Sequence, residues 1–388
     1  MPADPPASAP RICLVLSTGR CGSTALSGIV RAHPDALSVS ELFSALCDHD
    51  LIERELTGAG FWDMLSTPSQ TDLVGLRCEV RLDEMLYPAF DPRPGASRFS
   101  PATGLPPLIQ VVLPHLTERP DDSYATLEDT TRRQPRRRLS EHLRWLFGAL
   151  AAVAQDPADS VPPGAGHAGS AGLSANAGSS GRVGQPSVVV ERSGGSLAYA
   201  AALMRLFPQA RVVHLFRDGR ECALSMSRHG RYKMAAIRAA MHARLGYDPY
   251  AIGTAGQTAP EAGPEDEELA ALTPGRITRA GFDKFEVPLR RYGTMWSKMI
   301  IDGLAELPGP PRLLPLDYAD LVARPGESIG RLLDFLGLER DPGWERRAAG
   351  QVRPGRDARE EVSEQQWGEL TRACRLGMNH LYGRGGWT

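Results

Sequence analysis

The sequence predicts an α/β fold with a largely parallel sheet flanked by helices. Short apolar runs alternate along the chain with segments of helical apolar spacing, the pattern that βαβ units produce. The first run ends in a Gly-containing turn that leads straight into a helix. With 388 residues, 42% of them hydrophobic, the chain can also bury a sizeable core. Residues 11–388 read as one domain. The unit at 11–33 and the strands after residue 187 each look incomplete alone.

The elements follow in order. Residues 1–10 (MPADPPASAP) carry neither a basic nor an apolar leader segment and read as a disordered tail. Residues 11–17 (RICLVLS) form a buried strand. Residues 23–32 place Leu26, Ile29 and Val30 on one helical face, and the helix stops before Pro34. Further strands are expected at 73–78, 108–113, 187–190, 211–216 and 312–316. Helices are expected at 139–154, 196–207, 221–229, 282–304, 328–336 and 365–381. Residues 156–186 are Gly, Pro, Ala or Ser at 22 of 31 positions. Such a stretch buries too little surface to order itself and reads as a flexible insert. Residues 253–275 read as a second one.

Composition excludes several classes of function. A formal net charge of −2 rules out a polycation that coats nucleic acid, so no nucleic-acid partner is expected. No apolar run approaches a membrane span, and a cytoplasmic address is the default. Six scattered cysteines contain no C-x-x-C pair and give no support to a zinc or redox site. The only lysines are Lys233, Lys284 and Lys298, and no Gly-Lys-Ser/Thr occurs. An ordinary Walker loop is therefore absent, and phosphate in the N-terminal half must be met by Arg, Ser, Thr or backbone amides.

Two segments carry chemistry. Residues 17–24 (STGRCGST) lie between strand and helix. A loop there aims amide N–H groups at one point, at the positive end of a helix dipole. Gly19 and Gly22 permit close backbone approach, Ser23 and Thr24 add hydroxyls, and Arg20 adds a forked cation. The combination suits a tetrahedral oxyanion; the bland alternative is an N-capped helix with a solvated Arg. The second segment, residues 211–229 (RVVHLFRDGRECALSMSRH), runs a strand into Arg217 and then a helix. Ligands of open α/β sheets sit at the carboxyl ends of strands. Ser225, about two helical turns beyond Arg217, returns to the face of the helix start. Arg217 and Ser225 then make a second phosphate clamp, against the alternative of a simple salt bridge.

These two segments resemble those of sulfotransferases that use 3′-phosphoadenosine 5′-phosphosulfate (PAPS), most closely the tyrosylprotein branch and its bacterial relatives. The likeness includes residues 216–226 with RDGR, His33-Pro34-Asp35 followed by Ser40-Glu41, and residues 318–336 (YADLVARPGESIGRLLDFL). It covers roughly residues 11–45, 187–230 and 290–380. The resemblance implies a P-loop-like fold, PAPS as co-substrate, no metal, and a hydroxyl acceptor on a small molecule, glycan, lipid or peptide tyrosine. It implies that Arg20, Cys21, Gly22, Ser23 and Thr24 hold the 5′-phosphosulfate. Arg217 and Ser225 would hold the 3′-phosphate, with Tyr318 near the adenine and Arg353 and Arg356 on a closing basic loop. Glu41 would be the general base. Arg20 and Arg192 would stabilise the leaving phosphate, Arg192 standing where that branch has Lys. His33 reads as structural, and Trp296 and Trp367 as packing residues. Two other readings compete: an ATP-dependent small-molecule kinase with Asp218 as its Mg²⁺ ligand, and a non-catalytic nucleotide-binding protein of the same fold.

Overall fold

The structure is a computed structural model and describes residues 10–80, 84–88, 97–102, 104–155, 185–251, 264–352 and 358–383. The predicted tail at 1–9, most of the first insert, the first half of the second, and Arg353 and Arg356 lie outside the described residues.

The strands are β1 (Arg11–Leu16), β2 (Ala36–Ser40), β3 (Glu55–Leu56), β4 (Arg137–Arg138), β5 (Val188–Arg192), β6 (Arg211–Phe216) and β7 (Leu313–Asp317). β3 and β4 form a short antiparallel ladder of their own. The other five make one sheet in the order β2-β5-β1-β6-β7, and every pairing in it is parallel. The apolar runs that predicted strands do so because a parallel sheet is covered on both faces. All five residues of β2 and of β5 are buried, Glu191 and Arg192 included. β1, the first strand in sequence, lies at the centre, so the loop that follows it opens in the middle of the sheet.

Helices cover the sheet as their periodicity requires. The helix Ser23–Arg31 buries Leu26, Ile29 and Val30. Leu289–Leu304 buries Tyr292, Trp296 and Ile300. It is pinned to the C-terminal helix Glu364–Tyr382 by Ser297 Oγ, which donates to the Ala373 carbonyl at 2.8 Å. Trp296 is buried, a packing residue as expected. His33 is also structural. Its Nδ1 accepts from the Asp35 amide at 3.2 Å, and its ring meets Trp344 edge-on.

Five points of the sequence reading are corrected. Residues 73–78 belong to the helix Gln70–Arg77, not to a strand. Ser69 caps it, accepting from the Asp72 amide at 3.1 Å, and that signal outweighs the apolar run. Residues 108–113 form the helix Pro107–Val111 and a 3-10 turn, started by Pro107 in the first helical turn. The predicted helix 282–304 is two helices, Arg279–Lys284 and Leu289–Leu304, parted at Pro288. β2 is a strand that the pattern concealed. Its sequence ALSVS carries two serines, and both bury their hydroxyls against Ser27, at 2.9 Å from Ser38 and 3.1 Å from Ser40. The described end of the second predicted insert is also structured. Leu269 and Leu272 are buried, and the Leu272 carbonyl accepts from the Tyr250 hydroxyl at 2.5 Å.

Candidate active site

The carboxyl ends of the five parallel strands each deliver one of the predicted residues. Across the sheet they read Glu41 after β2, Arg192 ending β5, the Ser17–Gly22 loop after β1, Arg217 after β6 and Tyr318 after β7. A cavity of about 680 Å³ opens over these ends. Arg20, Gly22, Ser23, Thr24, Glu41, Arg192, Arg217 and Ser225 all line it.

The loop after β1 is held in an unusual backbone conformation. Gly19, Arg20 and Gly22 have φ of 74°, 58° and 90°. Glycine is required twice. A Cβ on Gly22 would lie 2.1 Å from the Tyr318 ring, and one on Gly19 would lie 1.7 Å from the Tyr232 hydroxyl. The Tyr232 hydroxyl donates to the Thr18 carbonyl at 3.0 Å, clamping the loop from above. Arg20 adopts the left-handed region without being glycine, a conformation that surrounding contacts must enforce. Its Nε donates to Ser225 Oγ at 3.0 Å. The two predicted anion loops therefore touch directly.

Arg217 lies 5.2 Å over the Tyr318 ring, and its Nε donates to Glu221. Tyr318 packs behind Gly22 and beneath Arg217 and is not part of the cavity wall. Cys21 turns inward. Its side chain is fully buried, burial raises its thiol pKa, and only its main chain is left to meet a ligand. Asp218 caps the helix Gly219–Ser227 by accepting from the Arg220 amide at 2.8 Å, and its carboxylate also pairs with the Arg220 side chain.

Glu41 and Arg192 form a buried ion pair. Glu41 Oε1 accepts from Arg192, while Oε2 accepts from Ser44 Oγ at 2.5 Å and from the Gly194 amide at 2.9 Å. Three donors occupy the carboxylate, which leaves about one of its roughly four lone pairs. Arg192 Nε has no partner. Glu41 itself has φ of 60°, so this corner of the site is also held against backbone preference.

Beside this pair lies Glu191, which sequence reasoning did not single out. Burial pushes its carboxyl up to about 8; hydrogen bonds from Ser193 and the Phe43 amide oppose the shift, and the Glu41 charge adds to it. Between its ordinary value of 4.5 and about 8, folded Glu191 keeps a proton that the unfolded chain has lost. Its contribution to stability is thus full at low pH and is lost as pH rises through that window. Glu191→Gln removes the titration. The variant is expected to show a flatter dependence of Tm on pH across this window and to be the more stable protein on its alkaline side. A thermal denaturation series checks this, and an unchanged slope counts against it.

Residues 200–353 match the family model for the sulfotransferase domain. That segment, 154 of the 388 residues, is similar to a sulfotransferase domain. The match takes in β6, Arg217, Ser225 and Tyr318, and begins after the first loop and Glu41. No curated protein matches the chain. Among solved structures, the sulfotransferase domain of the curacin biosynthetic pathway is 16% identical. It covers 87% of this chain and 77% of its own, with a TM-score of 0.39. A sulfotransferase from Mycobacterium avium is 14% identical, over 98% of this chain and 78% of its own, at 0.40. Retinol dehydratase in complex with androsterone and the inactive cofactor PAP is 14% identical, over 96% and 82%, at 0.31.

The cavity has further walls that the motifs did not reveal. Ser44, Glu84, His229, Arg231 and Tyr232 all line it. His229 closes the second motif, and that adjacency was its only signal. Glu84 has no signal, because it reaches the cavity through tertiary packing alone. The remaining wall is largely small and apolar, with Ala235, Ala236 and Ala239 of the helix Gly230–Leu245 facing Met295 and Met299 of Leu289–Leu304. Among the described residues, no helix is long and apolar enough to cross a membrane.

Proposed function

We propose that the protein transfers a sulfuryl group from PAPS to a hydroxyl acceptor and releases 3′-phosphoadenosine 5′-phosphate (PAP). One observation carries this reading. The hydrogen bond from Arg20 to Ser225 brings two anion-binding loops onto one cavity, as a ligand with two separate phosphate groups requires. The residues fit such a group. Arg20, Ser23 and Thr24 line the cavity beside Gly19 and Gly22, and Arg192 Nε is a buried donor without a partner.

In this reading Arg20, Ser23 and Thr24 hold the phosphosulfate end, and Arg217 and Ser225 hold the 3′-phosphate. PAPS supplies an activated sulfuryl group whose leaving group is a phosphate. Arg20 and Arg192 meet the charge that grows on that phosphate, at donors already fixed in place. Glu41 takes the proton from the acceptor hydroxyl with its remaining lone pair. Loose in-line transfer asks mostly for such positioning and charge. The apolar wall of the cavity leaves room for the acceptor, a hydroxyl-bearing small molecule, glycan or lipid, or a peptide tyrosine. A cytoplasmic location suits a small-molecule acceptor better than a secreted protein.

The kinase reading is weaker, since the carboxylate it would need from Asp218 is engaged as a helix cap and by Arg220. Calorimetric titration with PAP tests the proposal. Tight binding is expected in the wild type, with affinity falling by about 10- to 100-fold in Arg217→Ala, the loss of one charge-assisted contact. Undiminished binding by the variant would remove Arg217 from the site. Mg²⁺-dependent ATP binding in place of PAP binding would favour the kinase.

A further inference from the structure

Glu84 places a carboxylate inside the very cradle that the donor's anion must enter. Its Oε1 lies 3.9 Å from Arg20 Nη1, and its Oε2 lies 3.6 Å from His229 Nε2. All three residues line the cavity. The backbone of Glu84 is fixed, because its carbonyl oxygen lies 3.0 Å from His115 Nε2. His229 is held too. Its ring meets Tyr232 edge-on at 5.5 Å, and Tyr232 in turn clamps the first loop. Neither ring nitrogen of His229 has a hydrogen-bond partner, although both are shielded from solvent.

We propose that Glu84 is a gatekeeper of the donor site, an internal anion that Arg20 must exchange for the ligand's phosphate and that tempers anion affinity there. The inference rests on the donor-site reading above and adds a residue that sets its affinity. In the exchange Arg20 turns from Glu84 to the incoming anion, and Glu84 closes the remaining gap to His229, whose unpartnered nitrogen receives it. A buried polar atom without a partner calls for such an explanation. Glu84 is ionised throughout the working pH range. Burial raises its carboxyl, but His229, and Arg20 beyond it, outweigh burial and hold it at about 2. Any anion that enters must displace this carboxylate from Arg20 and then bear its repulsion, which grows with the charge the ligand brings. Glu84 therefore lowers the affinity of every anion at Arg20, and of densely charged ones most.

The test measures equilibrium binding of PAP, inorganic pyrophosphate and inorganic sulfate to wild type, Glu84→Gln and Glu84→Asp at low salt. Gln keeps the shape and removes the charge. Glu84→Gln is expected to bind PAP and pyrophosphate about five- to tenfold more tightly, as removal of a partly screened like charge predicts. It is expected to gain less for sulfate, a dianion, than for the more highly charged pyrophosphate. Asp, with its carboxylate drawn back, should fall between the two. Equal or weaker pyrophosphate binding by Glu84→Gln overturns the proposal, since Glu84 would then only be positioning Arg20. Tighter pyrophosphate binding by Glu84→Gln, in a chain that does not bind PAP, upholds the gatekeeper and removes the donor assignment instead. A wild type that binds neither probe overturns both.

Discussion

Replacing Glu41 with Gln is expected to cut turnover roughly 10²–10⁴-fold while PAP affinity stays within a few-fold of wild type. The geometry separates the two effects. Glu41 follows β2 at one side of the sheet, whereas Arg217 and Ser225 lie beyond β1 on the other side. Gln retains a carbonyl oxygen for Arg192 but cannot take up a proton. Single-turnover kinetics with labelled PAPS, run alongside PAP titration, check this. If the chemical step runs at the wild-type rate in Glu41→Gln, the hydroxyl proton goes elsewhere and the base assignment fails.

Arg192→Met is the variant expected to damage the fold most. It strands the Glu41 carboxylate, which is only 9% exposed, without the guanidinium that neutralises it. Removing one partner of a buried ion pair costs about 3–5 kcal/mol. For a chain of 388 residues that loss lowers Tm by about 4–6 °C. The second substitution, Glu41→Gln, should restore part of the loss when added to Arg192→Met, because the stranded charge is then gone. Urea denaturation of both single variants and the double variant measures the coupling. Strict additivity would mean that the pair contributes nothing jointly and that its contact is incidental.

Much of this architecture was legible from residue order alone, and the failures have physical causes. β1, β5 and β6 showed themselves because parallel strands buried on both faces carry long apolar runs, and β7 through a run of its own although its burial alternates. β2 did not, since its two serines satisfy each other's surroundings through Ser27 and need no apolar side chain there. Residues 73–78 misled in the opposite direction. Their apolar run is compatible with a strand, and only the cap at Ser69 decides for a helix. The two loops that line the cavity were readable because glycine at strand ends and arginine beside hydroxyls have few other uses together. Glu84 and Glu191 were not readable. One comes to the cavity from a distant segment, and the other hides a carboxyl inside a strand that reads as a run of valines.

The sheet also acts as a ruler. Adjacent strands stand about 4.8 Å apart, so its five tips span roughly 19 Å from the Glu41 edge to the Tyr318 edge. That is the scale of an extended nucleotide with a second molecule laid end to end against it. Because the strand order fixes which tip stands beside which, a ligand lying along the row has only one sensible direction. On the proposed reading adenosine lies towards β7 and the incoming hydroxyl towards β2, and a reversed complex would set a carboxylate against a phosphate.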